Sequence, residues 1–167
     1  MTTRIRRAAA ILAAAALSVS AHPVHAQTGS PDEAEVLAVV EALFDGMRAA
    51  DSAAVRSTLH PEARLVGVAD GEDGPVLRAE SMDGFVSAVG TPHEETWDER
   101  IWDPEVRIDD RLATVWVPYA FYLGETLSHC GFDAFQLYES ADGWKIFQIA
   151  DTRRREGCEI PEAVSGR

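Results

Sequence analysis

Apolar and polar positions alternate with two different periods along this chain, and the change comes near its middle. In "SPDEAEVLAVVEALFDGMRAAD" the apolar residues Val36, Val40, Leu43, Phe44 and Met47 recur every three to four positions. That period places them on one stripe of an α-helix. Ser30 is the expected N-cap, Pro31 suits the first helical position, and Glu33 completes a capping box. Asp51 is expected to cap a second helix, "SAAVRSTLH" (52–60), which Pro61 should stop. "ARLVGVA" (63–69) and "PVLRA" (75–79) read as strands on either side of the turn-rich "DGEDG". Ser81 is expected to cap a third helix, "MDGFVSAVG" (82–90).

From Glu95 onward the helical period disappears, and β-branched and aromatic residues fill the intervals between turn signals. Three long strands are expected, at 111–124, 126–140 and 143–154. Gly124-Glu125 and "SADG" (140–143) are the hairpin links. Pro118 lies inside the first of these strands. A proline offers the ladder no donor, so a bulge or bend is expected there. Helices followed by long, bent strands imply an α+β fold: three N-terminal helices packed on one strongly curved antiparallel sheet, a cone.

The beginning of the chain breaks this pattern. Arg4, Arg6 and Arg7 precede a short apolar run, Ala8 to Val19, and Val24-His25-Ala26 supplies small residues ahead of Gln27. These are the parts of a secretory signal peptide at 1–26, with a short linker at 27–32, a single domain at 33–158 and a tail at 159–167. The expected location is periplasmic or secreted, with no stable membrane insertion after cleavage. The whole chain carries 15 basic and 28 acidic residues, net −13. Loss of the three leader arginines makes the balance −16. That charge argues against nucleic acid and anionic membranes as partners.

Several strings together resemble a known superfamily. "RAADSAAVRSTLHPEARLV", "SHCGFDAFQL" and "DGWKIFQIADTRRREGC" are similar to members of the nuclear transport factor 2-like superfamily, in its polyketide-cyclase-like (SnoaL-like) and putative lumazine-binding branches. The resemblance covers roughly residues 33–158 and implies a pocket between sheet and helices. It does not imply one chemistry, because isomerases, dehydratases, cyclases and non-catalytic adaptors share the fold. Steroid-isomerase members use a tyrosine on the first helix and an aspartate on the first strand. The matching positions here are Leu43 or Phe44, and Gly67, none of which moves a proton. Dehydratase members use a His–Asp pair, whereas His129 and Asp133, four apart on a strand, stand roughly 13 Å apart.

Chemistry-bearing residues gather in "SHCGFDAFQLY" (128–138). With Glu139 set opposite Trp144, one face holds His129, Gly131, Asp133, Phe135 and Leu137 beside Trp144, Ile146, Gln148 and Ala150. The other holds Cys130, Phe132, Ala134 and Gln136 beside Phe147, Ile149, Asp151 and Arg153. The first face grades from apolar to polar, as a pocket closed at the bottom and wet at the mouth requires. The ligand-binding candidates are therefore Tyr119, His129, Asp133, Phe135, Leu137, Ile146 and Gln148. Register leaves open whether Trp116 or Tyr119 joins that face. For Asp133 the competing role is structural, an ion pair with Arg154 or a local cap. "DTRRR" reads as a solvated strand end.

No metal is expected, since "HPE" (60–62) and "HEE" (93–95) lack convergent partners. No cofactor motif appears. The first expectation is an exported pocket protein for a small apolar or aromatic molecule. The alternative is an isomerase, cyclase or lyase using Asp133 or His129 as proton carrier. A third is a dimeric interaction module with a vestigial pocket, so a homodimer is also in play. Export and an even count make a Cys130–Cys158 disulfide the reading of the two thiols. With Cys130 opposite Arg153, an extended tail would leave them about 16 Å apart. The chain must turn back after Arg154, and Gly157 makes that turn feasible.

Overall fold

The computed structural model describes residues 31–166. The expected leader, its cleavage site and the Ser30 cap lie outside them. Helix α1 (Pro31–Arg48) buries Val36, Val40, Leu43, Phe44 and Met47, the stripe read from its period. Asp51 caps α2 (Ser52–Thr58), accepting from the amides of Ala53 and Ala54 at 2.9 Å each. The helix stops short of Pro61. Leu59 is already extended and begins β1 (Leu59–Gly71), which continues through the proline. Pairing of β1 slips between Leu59 and Arg64, so Pro61 sits where the ladder is interrupted and its missing donor costs nothing. Strand β2 (Gly74–Glu80) completes the first hairpin. Ser81 caps α3 (Met82–Val89) through the Gly84 amide.

The remaining strands are β3 (Trp97–Ile101), β4 (Glu105–Asp109), β5 (Leu112–Leu123), β6 (Thr126–Ser140) and β7 (Gly143–Thr152). The sheet order is β2-β1-β7-β6-β5-β3, with β4 also paired to β5. The fold is the expected α+β arrangement, helices packed on a large, curved, unclosed sheet. One junction departs from the antiparallel expectation, because β1 and β7 run parallel. Pro118 lies where β3 ends and β4 has not begun. Its carbonyl accepts from the Trp102 amide at 3.4 Å. Its donorless nitrogen therefore faces a gap in the ladder, with β5 itself unbroken.

The core lies between the helices and the inner face of the sheet. Phe44 on α1 meets Phe135 on β6 edge-on, with ring centroids 5.9 Å apart. Leu137 and Ile146 are fully buried beneath them. The tail ends in a short helix, α4 (Glu162–Ser165), whose Val164 is buried. Arg100 donates to the Val164 carbonyl at 3.0 Å and lies 4.2 Å from the centre of the Tyr122 ring. None of the described helices is long and apolar enough to cross a membrane.

Cys130 and Cys158 form a disulfide, with Cα atoms 5.9 Å apart. Cys130 pairs with Arg154, one residue beyond the expected Arg153. The difference comes from a bulge: pairing of β6 with β7 shifts between Gln136 and Leu137, leaving Phe147 unmatched. Gly157 takes φ +67° and turns the tail back toward Cys130.

Candidate functional site

The same bulge reorganises the polar end of the sheet. Up to Ile146 the inner face is as expected, with Trp144 and Ile146 beside Leu137. Past Phe147 the parity flips, and Ile149 and Asp151 point inward beside Phe135 and Asp133. Gln148 is thereby turned outward. It lies in a separate hollow of about 460 Å³ with His60, Tyr138 and Phe147, away from the other candidates. This corrects its assignment to the pocket.

The main cavity has a volume of about 490 Å³. Leu43, Phe44 and Met47 of α1 and Phe85 and Ala88 of α3 form one wall. Trp97, Phe121, Leu123, Phe135 and Ile149 form much of the wall contributed by the sheet. Of the expected pocket residues, Tyr119, His129, Asp133 and Phe135 line it. Leu137 and Ile146 do not, because the helices close over them and they become core. The register of β5 settles Tyr119 against Trp116: Tyr119 pairs with Gly131 and points in. Trp116 points out and stacks on Phe132, with centroids 5.1 Å apart.

A carboxyl cluster occupies one end of the cavity. Asp133 and Asp151 stand directly opposite each other on β6 and β7, and Asp151 pairs on its other side with Gly67. Two ionised carboxylates at a directly opposed pair repel. Both are buried, Asp133 to 3 % exposure. Glu99 reaches the cluster from β3 and is hydrogen-bonded to Asp133. Burial, then the charge of Glu99, push the Asp133 carboxyl well above the ordinary aspartate range. Burial also raises Glu99, to about 7, against the lowering effect of its bond to Asp133. Both shifts favour keeping a proton on the pair, and the Asp133 carboxyl is raised by its bond to Glu99 while Glu99 is lowered by it.

The surrounding groups already have partners. Arg153 bonds to Asp151 and reaches Glu80 at 3.3 Å, so it serves two carboxylates at the mouth. The competing role for Asp133, an ion pair with Arg154, is not formed, because Arg154 lies on the exposed outer side. Tyr119 donates its hydroxyl to the Thr152 carbonyl at 2.9 Å. Burial, chiefly, holds its phenol above the usual range. His129 is held below its ordinary value by burial and then by Arg153, and is neutral at pH 7. Its Nδ1 lies 3.1 Å from Ser128 Oγ. Among the described residues no hydrogen bond joins His129 to Asp133.

Glu99, Asp151 and Arg153 were not among the expected site residues. A signal existed for Glu99. In Trp97-Asp98-Glu99-Arg100-Ile101 it shares parity with the two apolar residues, which marks it as inward. Asp98, of the other parity, is held between Arg48 and Arg100, at 2.7 Å from each. Asp151 required recognising that the adjacent apolar pair Ile146-Phe147 announces a bulge. Among the described residues no group of three or more His, Cys, Asp or Glu is arranged to hold a metal.

Comparison with known proteins adds a family and a fold. A family model described as putative lumazine-binding matches residues 31–149. No curated protein matches the chain. Among solved structures, an NTF2-like protein of unknown function from Shewanella baltica is 15 % identical. It superposes with TM-score 0.60 over 75 % of this chain and 95 % of its own. An NTF2-like protein with a cystatin-like fold from Novosphingobium aromaticivorans is 9 % identical, with TM-score 0.60 over 77 % of this chain and 84 % of its own. One from Silicibacter pomeroyi, also of unknown function, is 18 % identical, with TM-score 0.54 over 73 % and 95 %.

Proposed function

The chain belongs to the putative lumazine-binding family of the nuclear transport factor 2-like superfamily, and from that premise we propose that it binds a small, flat, largely apolar or aromatic molecule inside the cone. The observation that carries this reading is the cavity of about 490 Å³, walled by Phe44, Phe85, Trp97, Phe121 and Phe135, with its polar groups gathered at one end. That volume falls within the usual range for small-molecule sites, and a few convergent polar groups on apolar walls orient a ligand. We also propose export to the periplasm or the exterior. The arginine-led apolar leader supports it, and a disulfide suits an oxidising compartment. Proton transfer to a bound substrate is a second reading, favoured by the proton that Asp133 retains in an apolar cavity.

Substitution of Ala88 tests the binding site. Its side chain faces the cavity from α3, so Ala88→Phe should fill the space that a ring would occupy. Titration with lumazine and with 2-naphthylmethanol, followed by tryptophan fluorescence, should show binding to the unaltered protein. For A88F the affinity should fall by at least about tenfold, since a lost ring-sized contact area is worth more than 1.4 kcal/mol. The melting temperature should stay within a few degrees. Undiminished binding by A88F places the ligand elsewhere. Chromatography of the recovered probe separates the two readings: an altered probe supports proton transfer, an unchanged one binding alone.

A further inference from the structure

The carboxyl cluster is short of donors. Glu99, Asp133 and Asp151 converge at one end of the cavity, with Glu80 at its rim. Among the described residues, the one arginine or lysine lining it, Arg153, is already shared by Asp151 and Glu80. Tyr119 gives its proton chiefly to the Thr152 carbonyl at 2.9 Å, with Asp151 Oδ2 farther off at 3.5 Å. His129 is neutral, with Nδ1 3.1 Å from Ser128 Oγ, and so carries a single ring N–H. The helices α1 and α3 bring mainly apolar side chains and no charged one to the lining. Among the described residues, Asp133 Oδ2 is enclosed and receives no hydrogen bond from any donor of the chain. One shared proton joins Asp133 to Glu99. A carboxyl–carboxylate pair has four oxygens, each able to accept, and one proton leaves most of that capacity unused. What the cavity shows its occupant is therefore chiefly a set of acceptors, backed by excess negative charge and flanked by aromatic rings.

We propose that the ligand presents a protonated nitrogen, an arylalkyl ammonium or amidinium, whose N–H groups bond to Asp133 and Glu99 while its ring lies against Phe44, Phe85 and Phe121. This rests on the binding site proposed above and names the class of molecule it selects. A carbonyl at this position would compete with Glu99 for the one proton available. A carboxylate would add another negative charge to the cluster. An ammonium supplies the missing donors, offsets the charge, and gains from ring faces close by. Its arrival favours the ionised form of the pair, so binding releases a proton near neutrality, where Glu99 titrates at about 7.

Three matched probes test this: 2-naphthylmethylammonium, 2-naphthylmethanol and 2-naphthoate, titrated calorimetrically into the disulfide-intact protein at pH 6 and pH 8. The ammonium should bind at least about tenfold tighter than the alcohol at pH 8, the range of a hydrogen bond to a charged group. The naphthoate should bind weakest. The ammonium's advantage should shrink at pH 6. Titration in buffers of different ionisation enthalpy should show protons released with the ammonium and not with the alcohol. Glu99→Gln should reduce the ratio of ammonium to alcohol affinity to within about threefold, whatever the absolute affinities, because a neutral amide leaves that contact without its charge. If that variant does not fold, Asp133→Asn is read by the same ratio. Alcohol binding with no gain for the ammonium overturns this inference and leaves the cavity as a binding site. So does an ammonium preference that survives both substitutions. Failure of all three probes overturns the cavity and its selectivity together.

Discussion

Replacing Cys130 and Cys158 together by alanine should lower stability by about 3–4 kcal/mol, the chain-entropy value for a loop of this size. The bridge joins residues 28 apart in sequence. For a domain of this length the melting temperature should fall by roughly 7–14 °C. The effect should be regional in its origin. Cys130 is 2 % exposed and paired through two backbone hydrogen bonds with Arg154, so the strand end should persist. The tail from Glu156 to α4 should be loosened, because among the described residues the bridge is its one covalent anchor, beside buried Val164 and the bonds from Arg100. Thermal unfolding of the oxidised protein beside the double variant checks the magnitude. Limited proteolysis, cutting first after Arg155 in the variant alone, checks the location. Equal melting temperatures would show that the bridge is energetically idle.

A single methyl group at Gly131 should cost at least as much. A Cβ built there would stand 1.7 Å from the Thr152 carbonyl oxygen and 2.9 Å from the Tyr119 ring. Both obstacles are stiff, one being backbone of the neighbouring strand and the other the side chain hydrogen-bonded to it. Gly131→Ala must separate β6 from β7 and break the Tyr119–Thr152 bond. The expected loss is about 3 kcal/mol or more, the upper range for overpacking. Gly143→Ala is the comparison. Its φ of +94° disfavours a side chain, but nothing lies within 4 Å of the added carbon. That variant should lose only about 1 kcal/mol. Urea denaturation of the two, side by side, separates collision from backbone strain. If both lose the same amount, the close approach at Gly131 is not what holds this end of the sheet.

These two positions also show how far the sequence could be read. Helix stripes, the Asp51 and Ser81 caps and the two hairpin turns are local signals, and each appeared where the periodicity placed it. Parity between distant strands is not local. One unmatched residue, Phe147, shifted everything beyond it, sending Gln148 out and bringing Asp151 in. The parallel pairing of β1 with β7 depends on tertiary packing and left no mark on either strand. Asp133 and His129 were legible because they share a strand with Phe135. The parity of Glu99 marked it as inward, but its partner lies 34 positions away on a strand two ladders distant, so nothing local joined the two. Leu137 and Ile146 were assigned to the correct face but to the wrong depth. A face pattern says which side points in, not where the helices close over it.

Amide chemical-shift mapping with 2-naphthylmethanol tests the central claim, that the inner cavity is the binding site. An aromatic probe shifts nearby amides strongly. The largest changes should fall on Leu65, Phe85, Phe121, Phe135 and Ile149, which surround the cavity from four strands and α3. Changes centred on His60, Tyr138, Phe147 and Gln148 would place binding in the outer hollow instead. That result, or no change at saturating probe, would contradict the account.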